Sequence, residues 1–228
     1  ELPAVGPRSS PPPPSDTKPI GGIAVVTALP PERFERVLPY LNAKGFSIIA
    51  DPGKVILDLE PRRLAGALES ADILVMNRHE YGLLRKHVGP PIENLAGKLS
   101  GIVVTDGAEG SRIERTGKAG PVPLPAYPVA EPADPYGAGD AFLAGIAAGI
   151  YYGLPLEAAA RIGAVAASFA LESPGSQSHS FDIREFTRRF TVLSGNGEND
   201  PEAPSARNFP SFLNALSTDW EHIPIIGD

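Results

Sequence analysis

Asp134-Pro135-Tyr136-Gly137-Ala138-Gly139-Asp140-Ala141-Phe142 sets two glycines around one small residue and then runs directly into an alanine-rich apolar segment. That segment, about Gly137 to Tyr152, has the length and composition of a buried helix. The start of such a helix carries backbone N–H groups that no earlier carbonyl satisfies, and with the helix dipole they attract an anion. Glycine lets a phosphate approach the backbone closely. Asp140 falls in the first turn, beside that anion site. A carboxylate there repels a phosphate, so it has a purpose only if it meets a hydroxyl that attacks the phosphate. The same residues also suit a tight turn at Gly137 and Gly139 with Asp140 capping the helix. Spacing alone leaves both readings open.

Upstream of this loop, apolar runs of strand length alternate with segments of helical periodicity. Ile23 to Leu29, Phe46 to Ala50, Ile73 to Met76 and Ile102 to Thr105 are predicted strands. Between them Pro31 to Lys44, Arg62 to Ser70 and Arg78 to His87 have helical spacing. Ser111 to Thr116 and Val122 to Val129 fit a β-ribbon, and Pro155 to Glu172 is a second alanine-rich helix. Strands alternating with helices predict an α/β fold with a largely parallel, Rossmann-like sheet. Such sheets hold ligands beyond the carboxyl ends of their strands. That points to Asp51-Pro52, Asn77, Thr105-Asp106-Gly107 and the loop before Gly137.

Composition narrows the chemistry. The chain has 228 residues, a formal charge of −7, no cysteine and four histidines. Disulfides, thiol nucleophiles and thiolate metal sites are excluded. No two histidines sit at ligand spacing, so a histidine-built zinc site is not expected. The charge offers no footprint for nucleic acid or an anionic membrane. Ala141 to Leu154, the most apolar stretch, is too short to span a bilayer. The first twenty residues lack the apolar run of a signal peptide, and a cytoplasmic location is expected.

Several motifs, in order, resemble one family. The Asp134–Phe142 loop closely resembles the second signature of the ribokinase, or PfkB-type, carbohydrate and nucleoside kinases. Asn77-Arg78-His79-Glu80 resembles that family's Asn-x-x-Glu element. Val104 to Gly110 (Val-Thr-Asp-Gly-Ala-Glu-Gly) resembles its strand-end nucleotide loop, and Glu172 to His179 the ending of bacterial adenosine-kinase-like members. The resemblance runs from about Ile23 to Phe190. It implies a ribokinase-like three-layer fold and ATP-dependent phosphoryl transfer to a hydroxymethyl group of a sugar or nucleoside acceptor. By resemblance, Asp140 is the base that takes the acceptor's proton, and Gly137, Ala138 and Gly139 form the anion hole. Asn77 and Glu80, one helical turn apart and so on one face, would hold Mg2+ and its waters. Thr105, Gly107 and Gly110 would border the ATP phosphates and ribose. The small residues of Ile162 to Ala167, Gly163 among them, would flank the adenine, with His179 approaching it. Asp51-Pro52-Gly53-Lys54 matches a family position near the phosphates, although Lys54 reads better as a solvated loop lysine than as a phosphate contact, and His79 is expected on the surface.

Two features depart from the family. Tyr136 stands where relatives usually carry a small polar residue, so a phenol adjoins the expected anion hole. The family's amino-terminal part, with its Gly-Gly-rich acceptor motif, early aspartates and β-lid, has no counterpart here. The expected fold is therefore truncated on its amino-terminal side, leaving an unpaired sheet edge and an uncovered apolar face through which the chain would dimerise or meet a partner. The expected organisation is a Pro-rich disordered leader (1–20), a kinase core (21–192), and a polar linker with a carboxyl-terminal extension (193–228). Two functions compete: a sugar or nucleoside kinase, and a nucleotide-binding module without turnover. A dinucleotide oxidoreductase fits less well, because it needs its Gly-x-Gly-x-x-Gly after an early strand.

Overall fold

A computed structural model describes residues 22–89, 95, 99–115 and 120–194. The Pro-rich leader and residues 195–228 of the extension lie outside the described residues. Four parallel strands form the body of the sheet: β1 (Ile23–Val26), β2 (Ser47–Ala50), β3 (Ile73–Asn77) and β4 (Gly101–Thr105). Two antiparallel strands extend it beyond β4, namely β5 (Ser111–Glu114) and β6 (Val122–Leu124). The spatial order follows the chain from β1 to β6. The helices are α1 (Pro31–Ala43), α2 (Val55–Asp58), α3 (Pro61–Leu68), α4 (Arg78–Val88), α5 (Ala138–Tyr151), α6 (Leu156–Leu171) and α7 (Ile183–Leu193).

The strands read as unbroken apolar runs because both of their faces are covered. Val26, Ile48, Ala50, Leu74, Met76, Ile102 and Val104 pack with the side chains of α1 to α4. The alternate residues Ile49, Ile73, Val75, Val103, Ile113 and Leu124 pack against α5 and α6. This gives the expected three layers. The wide uncovered face expected from the resemblance is not found among the described residues: α5 and α6 lie over it. What is left is the outer strand β1, where Val25 is 43% exposed.

The two alanine-rich helices pack almost backbone to backbone. A Cβ added to Gly145 would lie 2.6 Å from the Cα of Gly163, and one on Gly149 would lie 2.7 Å from the Cα of Ala159. No larger side chain fits this seam without parting the helices. Helix α5 is thereby held against the sheet along its length, and its first residues are fixed with it.

Helix α7 was not anticipated. It takes up the end of the expected core, residues 183–192, and the first residue of the expected linker, Leu193. Its signals are local. Asp182 accepts the Glu185 N–H at 2.8 Å, and Phe186, Phe190 and Leu193 bury one face against α6. Phe181 stacks on Phe169 at 4.7 Å between ring centroids.

Candidate active site

The carboxyl ends of the parallel strands place Thr27, Asp51, Asn77 and Thr105 along one edge of the sheet. Val26 is in register with Ala50, and Asn77 with Thr105. Thr27 Oγ1 donates to Asp51 Oδ2 at 3.1 Å and the Gly53 N–H donates to Asp51 Oδ1 at 3.0 Å. Burial raises the Asp51 carboxyl above the ordinary carboxylate range, and the nearby charges of Glu80 and Asp140 add to the shift against those two donors. This coupling brings strand ends β2 and β3 and the start of α5 into one electrostatic neighbourhood.

The start of α5 is open. Gly137 is its N-cap, with φ 82° and no side chain capping the helix. That conformation favours glycine, and a Cβ there would also lie 2.7 Å from Ser176 Cα. The Ala138 N–H makes a long turn bond of 3.4 Å to Pro135 O, and the Ala141 N–H bonds Gly137 O at 2.9 Å. Between them the amides of Gly139 and Asp140 have no acceptor among the described residues. Around Gly139 a Cβ would meet nothing within 4 Å, so the Cβ side of this residue is clear. Gly139 and the Asp140 side chain are both exposed. The donors therefore centre one residue later than expected: Ala138 is engaged in its own turn, and Gly139 and Asp140 offer the free N–H groups.

Asp134 pins this loop. Its Oδ1 accepts the Tyr136 N–H and its Oδ2 the Gly175 N–H, each at 2.9 Å. The two amides hold the Asp134 carboxyl below its ordinary range. The loop is also tied to the end of α6 through Ala133 N–H to Leu171 O at 2.7 Å. The phenol of Tyr136 is 76% exposed, so it projects from the loop without plugging it.

Asn77 and Glu80 are near one another for a reason other than the expected shared face. Asn77 is the N-cap of α4: its Oδ1 accepts the Glu80 N–H at 2.9 Å, and Glu80 Oε2 accepts the Asn77 N–H at 2.9 Å. This reciprocal capping box seals the first turn. It occupies the Asn77 side-chain oxygen and one Glu80 oxygen, and Glu80 Oε1 has no hydrogen bond among the described residues. Among the described residues no three acidic or histidine side chains converge as a metal cage. A cation that keeps much of its water and leans on phosphate oxygens needs none.

Thr105 and Gly107 line an open groove of about 700 Å³, together with Asn77, Arg78, Lys86 and Asp106. Two expected ligand residues do not reach it. Gly110 is buried, with φ 92°, and a Cβ there would collide with Leu124 O at 2.2 Å; its glycine serves the packing of β6. Gly163 is buried in the helix seam, where a Cβ would lie 2.6 Å from Phe142 O. Its small size serves α5 rather than an adenine. His179 is half-buried just past the Gly175 turn, and its Nδ1 has no partner among the described residues. His79 is exposed, as expected.

The family model described as pfkB family carbohydrate kinase matches residues 20–183. The chain belongs to the PfkB family. Its relatives include the nucleoside kinase of Methanocaldococcus jannaschii, 30% identical over 139 residues, which are 60% of this chain and 45% of that protein. The nucleoside kinase of Methanothermobacter thermautotrophicus is 32% identical over 157 residues, 68% of this chain and 50% of that protein. In fold, the chain is similar to a nucleoside kinase of Burkholderia thailandensis solved in complex with ADP-inosine. That likeness has a TM-score of 0.71 and 23% identity, and covers 84% of this chain and 58% of the other. The chain spans about half the length of the curated relatives it matches.

Within this PfkB fold, sequence reasoning missed Asp134 as the pin of the signature loop and Thr27 as the partner of Asp51. Asp134 stood at the head of the quoted motif, and an Asp two residues before a turn amide is a recurrent loop-closing pattern. Thr27 carried no local signal, because its partner lies on the next strand. No helix among the described residues is long and apolar enough to cross a membrane.

Proposed function

We propose that this protein transfers the γ-phosphoryl group of ATP to a hydroxymethyl oxygen of a nucleoside or sugar, with adenosine-like nucleosides as the preferred acceptors, in the cytoplasm. The observation that carries the reading is the uncapped start of α5. There the Gly139 and Asp140 amides have no acceptor among the described residues, the Cβ side of Gly139 is clear, and the carboxylate of Asp140 is exposed. Charge spreads over the transferred phosphoryl's equatorial oxygens in the transition state, and fixed N–H donors stabilise it without reorganising. In this reading the Gly139 and Asp140 amides hold those oxygens. The acceptor oxygen forms its bond to phosphorus as the bond to the ADP oxygen breaks, and Asp140 takes the acceptor's proton. Nucleoside kinases among the relatives support a nucleoside acceptor.

The donor set fits Mg2+. Glu80 Oε1 and the Asp51 carboxyl are hard oxygen ligands in a locally negative site. Glu80 would hold the ion, with Asp51 reaching its waters. The bound ion would neutralise phosphate charge near these carboxylates. Thr105 and Gly107 would border the nucleotide phosphates, and His179 the adenine.

The test offers the full chain ATP with Mg2+ and, in turn, adenosine, inosine, ribose and fructose, with ADP affinity measured by calorimetry. Asp140→Asn should lower turnover by about 100-fold or more while ADP affinity stays within about twofold. Parallel loss of both would remove Asp140 from the chemistry. ADP binding without transfer to any acceptor would leave a nucleotide-binding module instead.

A further inference from the structure

The groove beside the nucleotide loop contains cations that no part of the proposed mechanism uses. Arg78, in the first position of α4, is 70% exposed. Its Nη1 donates to Asp106 Oδ2 at 2.9 Å, and its Nε and Nη2 have no hydrogen bond among the described residues. Asp106 lines the groove together with its neighbours Thr105 and Gly107, just past the end of β4. A carboxylate at that point repels a phosphate chain, and the guanidinium masks it.

Helix α4 is shaped along the same groove. Arg78, Gly82 and Lys86 recur every four residues, so they share one face, and all three line the groove. Glycine in the middle of a helix is unfavourable. Gly82 has no packing reason for being there, since a Cβ would meet nothing within 4 Å. Its effect is a clear floor between two cations.

We infer that Arg78 is a binding residue for the phosphate chain of the nucleotide: its guanidinium exchanges Asp106 for phosphate oxygens when ADP or ATP occupies the groove, and Lys86 adds a second cation further along. The inference rests on the kinase reading above. The exchange is cheap, because an exposed single-contact ion pair contributes little to stability. It is favourable, because a guanidinium fork matches two phosphate oxygens. It also answers a charge problem, since Asp106 lines the groove and Asp51, Glu80 and Asp140 share one negative neighbourhood at the same end of the sheet.

Calorimetry on the full chain with ADP and, separately, adenosine decides it, with thermal melting as a check on folding. Arg78→Gln should weaken ADP about 10-fold, make its binding less sensitive to salt, and leave adenosine unchanged. Asp106→Asn should tighten ADP by about threefold, because Arg78 is released and a repulsive charge removed. These opposite signs separate phosphate binding from bracing: if the ion pair merely held the loop, both variants would weaken ADP. Weakening by both, an unchanged ADP affinity in Arg78→Gln, or equal losses for ADP and adenosine each overturn the inference while the kinase reading stands. A wild-type chain that binds no ADP overturns the kinase reading, and this inference with it.

Discussion

Two helices begin at the same end of the sheet, and they begin differently. Helix α4 is closed by Asn77 and Glu80, which satisfy each other's backbone N–H groups. Helix α5 begins at a glycine with a left-handed backbone and no side-chain cap, leaving the Gly139 and Asp140 amides without acceptors among the described residues. An unsatisfied helix start is a cost that proteins usually remove with a side chain, as α4 does. Where the cost is kept, and the neighbouring Gly139 also leaves its Cβ side clear, an anionic ligand would serve as the missing partner. On the proposed function, the anion would meet the open start of α5 rather than the sealed start of α4. The contrast gives the motif on α4 a structural duty first and an electrostatic one second.

The comparison can be broken most forcefully at the two glycines of α5. Gly137→Ala imposes a strained φ and a contact with Ser176, so it should cost about 2–3 kcal/mol, seen as a fall in melting temperature of roughly 5–10 °C. Gly139→Val should leave melting nearly unchanged but fill the clear space and weaken ADP about 10-fold by calorimetry. If the two substitutions have interchangeable effects, the open start is only a turn.

Helix α4 offers the next test. Asn77→Ala removes the cap and should cost about 1 kcal/mol in chemical denaturation. Glu80→Gln preserves the capping box, because glutamine can also accept the N-cap amide, but removes the charge. It should raise the Mg2+ concentration needed for half-maximal activity several-fold with little loss of stability. A stability loss equal to that of Asn77→Ala would leave Glu80 with capping alone.

The smallest effect is a pH dependence at Asp51. Burial and the charges of Glu80 and Asp140 raise its folded pKa above the unfolded value. Ionised Asp51 therefore destabilises the fold above its folded pKa, and the penalty disappears as pH falls through that value towards the ordinary carboxylate range. Asp51→Asn should thus compare more favourably with wild type at pH 7 than at pH 4 by thermal melting. A gap that moves the other way would show that the Thr27 and Gly53 hydrogen bonds dominate.

The order of strands and helices was legible because a sheet covered on both faces writes its strands as apolar runs, and each run ended where a polar residue faces the site. The signature loop was legible through its resemblance to the family's second signature, since its spacing alone also suits a tight turn with Asp140 as the cap. What sequence reasoning misjudged was the purpose of other glycines. Gly110 and Gly163 carry the same letter as Gly139, yet a Cβ would strike Leu124 O or Phe142 O in the first two and nothing in the third. Only the partner across space separates these cases. The Asn77-x-x-Glu80 spacing was read as a shared helical face, although a capping box has that same spacing. Helix α7 was passed over although Asp182 and Glu185 mark its start in a similar way.

Arg189 of α7 ties that helix to the segment behind the signature loop. It lies against the Phe169 ring at 3.8 Å and donates to Ser168, Glu172 and Glu185 at 2.8, 2.8 and 3.0 Å. Those bonds anchor both ends of the segment whose middle supplies the Gly175 amide to Asp134. The signature loop is thus tensioned from behind, as a bowstring is by its limbs. Slackening α7 would register first as faster exchange of the Gly175 amide proton, before any strand of the sheet had loosened.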